Sequence, residues 1–219
     1  MFRNCESLTS LDLSNFNTLS VTSMSSMFEG CKNLETIEFG INFDTSWVKS
    51  MSYLFYGCEK LKQIDIGNFD TGLARNMSHM FDSCISLTSL DFNEKIFDTS
   101  ENIDFSYMFN NCTNLTSLDI SFFKTNNAKD MSFMFSNCSS ITNISLKFDT
   151  TSVNTMESMF DSCKDLKYLD LTSFNTQRCI KFSNMFANTE NMTVLVNSLY
   201  CDNMIDEIQE YVNLVIIND

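Results

Sequence analysis

Proline is absent from all 219 residues, where average usage would supply about ten; a biased composition is enough to explain the lack. Histidine occurs once, as His79, so no site built on repeated imidazoles can exist. Nine cysteines are present but no Cys-x-x-Cys pair, which removes the usual spacing of a zinc or redox site. The odd count also excludes a disulfide framework that pairs every cysteine within one chain. Five glycines form no phosphate-cradling loop, and no nucleophile motif stands out. Basic residues are scarce: 14 Lys and Arg face 28 Asp and Glu, a net charge of -14. Nucleic acid and anionic membrane surfaces would be repelled, whereas cationic partners or metal cations would not. No window approaches the roughly 18 uninterrupted apolar residues of a membrane span, and the first residues lack a basic flank with an apolar run. No export signal is therefore visible.

What is there is repetition. Aligned with itself, the chain shows MFxxC followed by LxxLxL at a period of about 26 residues, within the leucine-rich range. Met27-Phe28, Leu54-Phe55, Met80-Phe81 and Met108-Phe109 are successive copies of the opening pair, and a Cys follows three residues after each Phe, from Cys5 to Cys163; in the eighth copy Thr189 takes that slot. The apolar positions that follow run Leu8, Leu34, Leu61 and onward to Met192, then Leu11, Ile37, Ile64, Leu90, Leu118, Ile144, Leu169 and Leu195. Each copy then gives Phe, a polar residue and Thr, from Thr18 to Thr176. Length differences fall just before that triplet, which marks a loop.

The LDL stretch alternates like a strand, whereas Val21, Met24, Met27 and Phe28 sit at helical spacing. One repeat therefore reads as strand, turn, short helix. Thr, or the Asp or Asn beside it, would cap the helix start, and the Gly, Asn or Ser before each Cys would take the left-handed conformation at its end. No single unit can bury its apolar face, so the units must stack and extend one parallel sheet, with short helices on the other side. The expected fold is an α/β leucine-rich-repeat-type solenoid of about eight repeats over residues 1-198. Residues 199-219 leave the pattern, and Met204, Ile205, Ile208, Tyr211 and Val212 suggest a capping helix over the last repeat. The first residues already lie inside a repeat and leave an apolar end, to be covered either by upstream repeats or by end-to-end association.

The units MFEGCKNLETIEF and MFDSCKDLKYLDLTSFNT resemble the BspA-like leucine-rich repeats, in the variant with Phe-Asp-Thr and Val-Thr-x-Met between repeats. The likeness covers residues 1-198. It implies a surface or secreted protein that adheres to another macromolecule, and it carries over no catalytic residue. The resemblance is one of architecture, and architecture alone does not assign a function.

Two columns bear on chemistry. Seven cysteines at constant register read as small buried hydrophobes, not as metal ligands; no metal or cofactor is expected. The second column is acidic: Asp12, Glu38, Asp65, Asp91, Asp119 and Asp170, interrupted by Ser145. Each lies between two inward apolar residues, so alternation points it outward. The strip is either a row of solvated strand residues or a binding strip for a basic protein partner. Its small polar neighbours, with Tyr168 the one aromatic, lack the anchors of a strong interface. The sequence as a whole points away from an enzyme and toward a binding solenoid; the rival reading is a structural subunit packed end to end in a larger assembly.

Overall fold

The computed structural model describes residues 1–218. Chain order is β1 (Ser10–Leu13), β2 (Thr36–Phe39), β3 (Ser117–Asp119), β4 (Asn143–Ser145), β5 (Tyr168–Asp170), β6 (Thr193–Asn197), α1 (Ser198–Ile208) and β7 (Asn213–Ile217). All strand pairing is parallel, and the registers Leu11↔Ile37, Leu118↔Ile144 and Leu169↔Val194 place equivalent residues of successive repeats side by side. The last of these corrects the expected alignment. The final repeat is one residue shorter, so buried Val194 carries on the column expected to continue at Leu195.

Columns of identical residues form the core. A stack of phenylalanine rings runs through Phe2, Phe28, Phe55, Phe81, Phe109, Phe135, Phe160 and Phe186, with centroids 5.4 to 5.8 Å apart. Beside it the cysteines from Cys31 to Cys163 are buried, and each Sγ–H donates to the carbonyl of the preceding repeat's Phe, as Cys84 does to Phe55 at 3.2 Å and Cys138 to Phe109 at 3.1 Å. Burial pushes these thiols up, Cys138 to about 12. All nine cysteines are free and Cys5 is exposed.

The expected single sheet is divided. Strands pair as β1-β2, β3-β4 and β5-β6-β7, and the repeats at residues 62-66 and 88-92 contribute no strand. The more continuous ladder lies on the other side of the core, where parallel bridges link Ser23, Ser50, Asn76, Asp104, Asp130, Thr155 and Lys181 in turn. Here the expected short helices are replaced by consecutive turns. Met27 N–H donates to Met24 and Cys31 N–H to Phe28, while the N–H groups of Met24, Ser26, Phe28 and Gly30 donate to the next repeat at Ser50, Ser52, Leu54 and Tyr56. A helix would spend those groups within itself; a stack offers them an acceptor one repeat away.

Two left-handed residues per repeat shape these turns. One is the residue before each Cys, as expected, for example Gly30, Asn111 and Asn137. It closes a turn, not a helix. The other lies two residues before the Phe, at Ser26, Tyr53, His79, Tyr107, Phe133, Ser158 and Asn184. That backbone costs a bulky L-residue about 1–2 kcal/mol. The threonines likewise act between repeats: Thr45 Oγ1 donates to the Asp70 carbonyl at 2.8 Å and Thr71 Oγ1 to that of Asp98 at 2.8 Å. Local turn closure falls to the residue before Thr; Asp44, Asp70 and Asp98 accept from the N–H two residues on.

Beyond β6, α1 buries Cys201, Met204 and Ile208. The segment expected to be a helix alone then returns as β7, which pairs with β6 over five residues.

Candidate functional site

The outward positions of the strands, and the equivalent positions of the two repeats without a strand, carry the expected acidic strip. Alternation turns Leu11, Leu118 and Leu169 toward the core and exposes Asp12, Glu38, Asp65, Asp91, Asp119 and Asp170. Asp12 pairs directly with Glu38. Asp65 and Asp91 border one depression of about 310 Å³, and Asp91 and Asp119 border a second of about 340 Å³. Asp170 stands apart, because Ser145 fills the position beside Asp119.

Four of the six carboxylates have a local structural partner. Asp12, Asp65, Asp119 and Asp170 each accept from the backbone N–H two residues on, at 2.8 to 3.0 Å, and so close the turn after the strand. The hydroxyl and N–H of Ser14 hold the Asp12 carboxyl below its ordinary value. Asp119 is held down by the N–H and hydroxyl of Ser121, with Lys147 adding to the effect. Glu38 and Asp91 make no such bond. Among the described residues the ion pairs are Arg3–Glu29, Lys32–Glu6, Arg75–Glu101, His79–Asp82 and Lys124–Asp98; none involves the strip.

Both depressions lie where the strand ladder lapses, between β2 and β3. Gln63 and Ser89 line the first beside the acids, and Ser89 and Ser117 the second. A sequence read by side-chain type could not locate them, because the lapse is a property of how neighbouring repeats sit. The strip also changes character at its far end: Asp170 is followed in register by Leu195 and then Val215, the latter 45% exposed. The one-residue shortening of the final repeat hid that continuation. Exposed Tyr168 stands next to Asp170 on the same strand.

The exposed carboxylates give this face negative charge and hydrogen-bond acceptors. Among the described residues, no three His, Cys, Asp or Glu side chains gather as metal ligands would, and no helix is long and apolar enough to cross a membrane.

The sequence profile of the family described as "Mycoplasma protein of unknown function, DUF285" matches residues 1–91 and 88–167. In structure the chain is similar to a leucine rich cell surface protein from Faecalibacterium prausnitzii A2-165, with a TM-score of 0.50 and 17% identity over 100% of this chain and 62% of that one. A leucine-rich repeat protein from Bacteroides ovatus ATCC 8483 aligns with a TM-score of 0.30 and 18% identity, covering 99% of this chain and 86% of that one. The chain thus spans less than two thirds of the Faecalibacterium protein. That likeness shows a leucine-rich-repeat type of fold. No curated protein matches the chain in sequence.

Proposed function

The chain belongs to the family described as "Mycoplasma protein of unknown function, DUF285", and we propose that it is a non-enzymatic, adhesion-type repeat domain that binds a basic protein partner through its acidic strand face. One observation carries this reading: six outward carboxylates in one column, none ion-paired among the described residues, with Asp65, Asp91 and Asp119 around two adjoining depressions. Neighbouring carboxylates in such a column repel one another, and a cationic partner relieves the repulsion. The same field speeds encounter with a basic surface. The BspA-like character of the repeats and the likeness to a leucine rich cell surface protein support placement at a surface or in a secreted protein. In this reading α1 and β7 cap the last repeat.

The test is affinity recovery of partners by the intact chain and by a variant carrying Asp65→Asn, Asp91→Asn and Asp119→Asn. Loss of the recovered proteins in the variant is expected, together with release by moderate salt. Equal recovery by both proteins would overturn the strip as the binding surface.

A second reading rests on β7. It is an edge strand with Val215 and Ile216 45% and 46% exposed, and such an edge is a template for pairing with another chain. In that reading the domain is a structural subunit packed end to end. Size measurement over a range of concentrations separates the two: self-association favours packing, and a constant monomer favours binding.

A further inference from the structure

Away from the strand face, the turn side carries aromatic side chains that the fold itself does not require. The left-handed position two residues before the core Phe is filled by Ser26, Ser158 and Asn184 in three repeats, at φ of 52 to 59°. In four consecutive repeats it is filled instead by Tyr53, His79, Tyr107 and Phe133, at φ of 56 to 58°. Small polar residues therefore satisfy the backbone here, and bulky ones are strained in it. The four rings stack face to face, with centroids 4.3, 4.4 and 4.5 Å apart and interplanar angles of 7 to 10°. Tyr56 meets Tyr53 and His79 edge-on. Each of these side chains is half-buried, so the inner faces are used in stacking while ring edges meet solvent.

The band is held rigidly. His79 Nδ1 lies 2.7 Å from Asp82 Oδ2, and Asp82 Oδ1 accepts from Ser83 Oγ and Asn110 Nδ2, both at 2.9 Å. With that nitrogen engaged and both ring faces covered by tyrosines, the imidazole has one orientation. Asp104 lies near Tyr53, and Asp130 and Glu157 near Tyr107; Oδ1 of Asp104 and of Asp130 already accepts from the N–H and hydroxyl of Ser106 and Ser132, and none of the three acids is in an ion pair among the described residues. Burial pushes up the hydroxyls of Tyr53 and Tyr107; Asp82, Tyr56, Glu29 and Asp104 add to the push on Tyr53, and Glu157, Asp82, Asp130 and Tyr53 to that on Tyr107.

We infer that this acid-rimmed aromatic band is a second interaction surface, separate from the strand-face strip, and that it takes an arginine-bearing segment of a protein partner. The methylene stem of an arginine packs along the ring edges, while its planar guanidinium donates to the rim carboxylates and to the tyrosine hydroxyl oxygens. Tyrosine presented on a rigid support gives contact area with little entropy to lose, which is why it is enriched at interfaces. Lysine shares the charge but cannot donate in parallel pairs. Anionic partners are repelled by the rim.

The test uses fluorescence anisotropy with a labelled synthetic arginine-rich peptide and its lysine counterpart at physiological salt. The wild-type chain is expected to bind the arginine peptide more tightly. A Tyr53→Ser/Tyr107→Ser variant, which installs the residue of neighbouring repeats, is expected to lose about tenfold or more in affinity. The Asp65→Asn/Asp91→Asn/Asp119→Asn variant loses the strip's own pull on basic peptides but should keep the preference for arginine over lysine. Equal binding of both peptides, an unchanged affinity in the tyrosine variant, or a loss confined to the strand-face variant overturns the inference. Should the tyrosine variant fail to fold, amide exchange on the wild-type chain decides. Peptide-induced protection at residues 104–107 and 130–133 supports the band, and protection only at 63–65 and 89–91 refutes it.

Discussion

Among single residues, the cysteines show how one side chain serves a stack. A thiol is small enough for the tight seam beside the Phe column, and it still donates weakly to a carbonyl of the neighbouring repeat. Desolvation is the first cause of the upward push on Cys58, Cys84, Cys112 and Cys163. Of nine thiols only Cys5 is exposed, so a thiol reagent at neutral pH should modify one site rapidly and the others only on unfolding. Mass spectrometry of the labelled protein checks this, and rapid labelling of Cys84 or Cys112 would contradict it. The seam has one flaw nearby. Asn102 occupies the column of Val48, Ala74, Ala128 and Val153, is fully buried, and leaves Oδ1 without a partner while Nδ2 donates to the Asp104 carbonyl. An unsatisfied buried acceptor costs about 1–3 kcal/mol. Asn102→Val is therefore expected to raise the thermal midpoint by about 2–4 °C per kcal/mol gained. A lowered midpoint would show that the lone amide bond outweighs the orphaned oxygen.

Within one repeat, the elements are decided by where backbone groups find partners. Val21, Met24, Met27 and Phe28 are spaced for a helix, but turns closed three residues back give nearly the same spacing, and apolar pattern alone cannot tell them apart. The neighbouring repeat breaks the tie by accepting from Met24, Ser26, Phe28 and Gly30. Threonine was readable as structural from its recurrence; its partner was not, because that lies one repeat onward. Thr150 shows the consequence: its Oγ1 donates to the Asn175 carbonyl at 2.8 Å and accepts from the Asn175 N–H at 2.7 Å. Thr150→Val keeps the shape and orphans both backbone groups. A loss of about 1–3 kcal/mol is expected in urea unfolding, and a change under a few tenths would show that the threonine ladder does not join the repeats. Gly40 gives a second check, since a Cβ there would lie 2.0 Å from the Ser14 carbonyl oxygen. Gly40→Ala should cost about 2 kcal/mol or more, as steric faults in packed backbone do.

At the level of the whole molecule, the columns make stability depend on pH from both sides. Asp12, Asp44 and Asp119 carry carboxyls held below their ordinary value chiefly by hydrogen bonds from Ser14, Ser46 and Ser121. Their contribution is complete above the unfolded carboxyl value of about 3.9 and is lost as pH falls from there through the lower folded values. The buried thiols act in the opposite direction. Raised in the folded state, they contribute fully below the unfolded thiol value of about 8.5. As pH rises past it, the unfolded chain releases protons that the folded chain keeps, and each thiol withdraws about 1.4 kcal/mol per pH unit. Chemical unfolding followed across pH should therefore show a plateau near neutrality with losses on both flanks. An unchanged stability up to pH 10 would mean that the seam is accessible to water.

The composition of each repeat, the depth of its Leu, Phe and Cys columns and the outward course of Asp12 to Asp170 follow from the sequence, because all depend on the spacing of neighbours along one segment of chain. Leu195 leaves the column for the converse reason: a single missing residue in the last repeat changes no local pattern, yet it shifts which side chain faces Leu169. The tertiary structure alone decided that turns replace helices, that the strand ladder lapses at 62-66 and 88-92, and that Tyr53, His79, Tyr107 and Phe133 form one band. Each of these rests on partners 24 to 28 residues away in the chain, and hydrogen-bond acceptors and ring faces at that distance become neighbours only once the repeats are stacked.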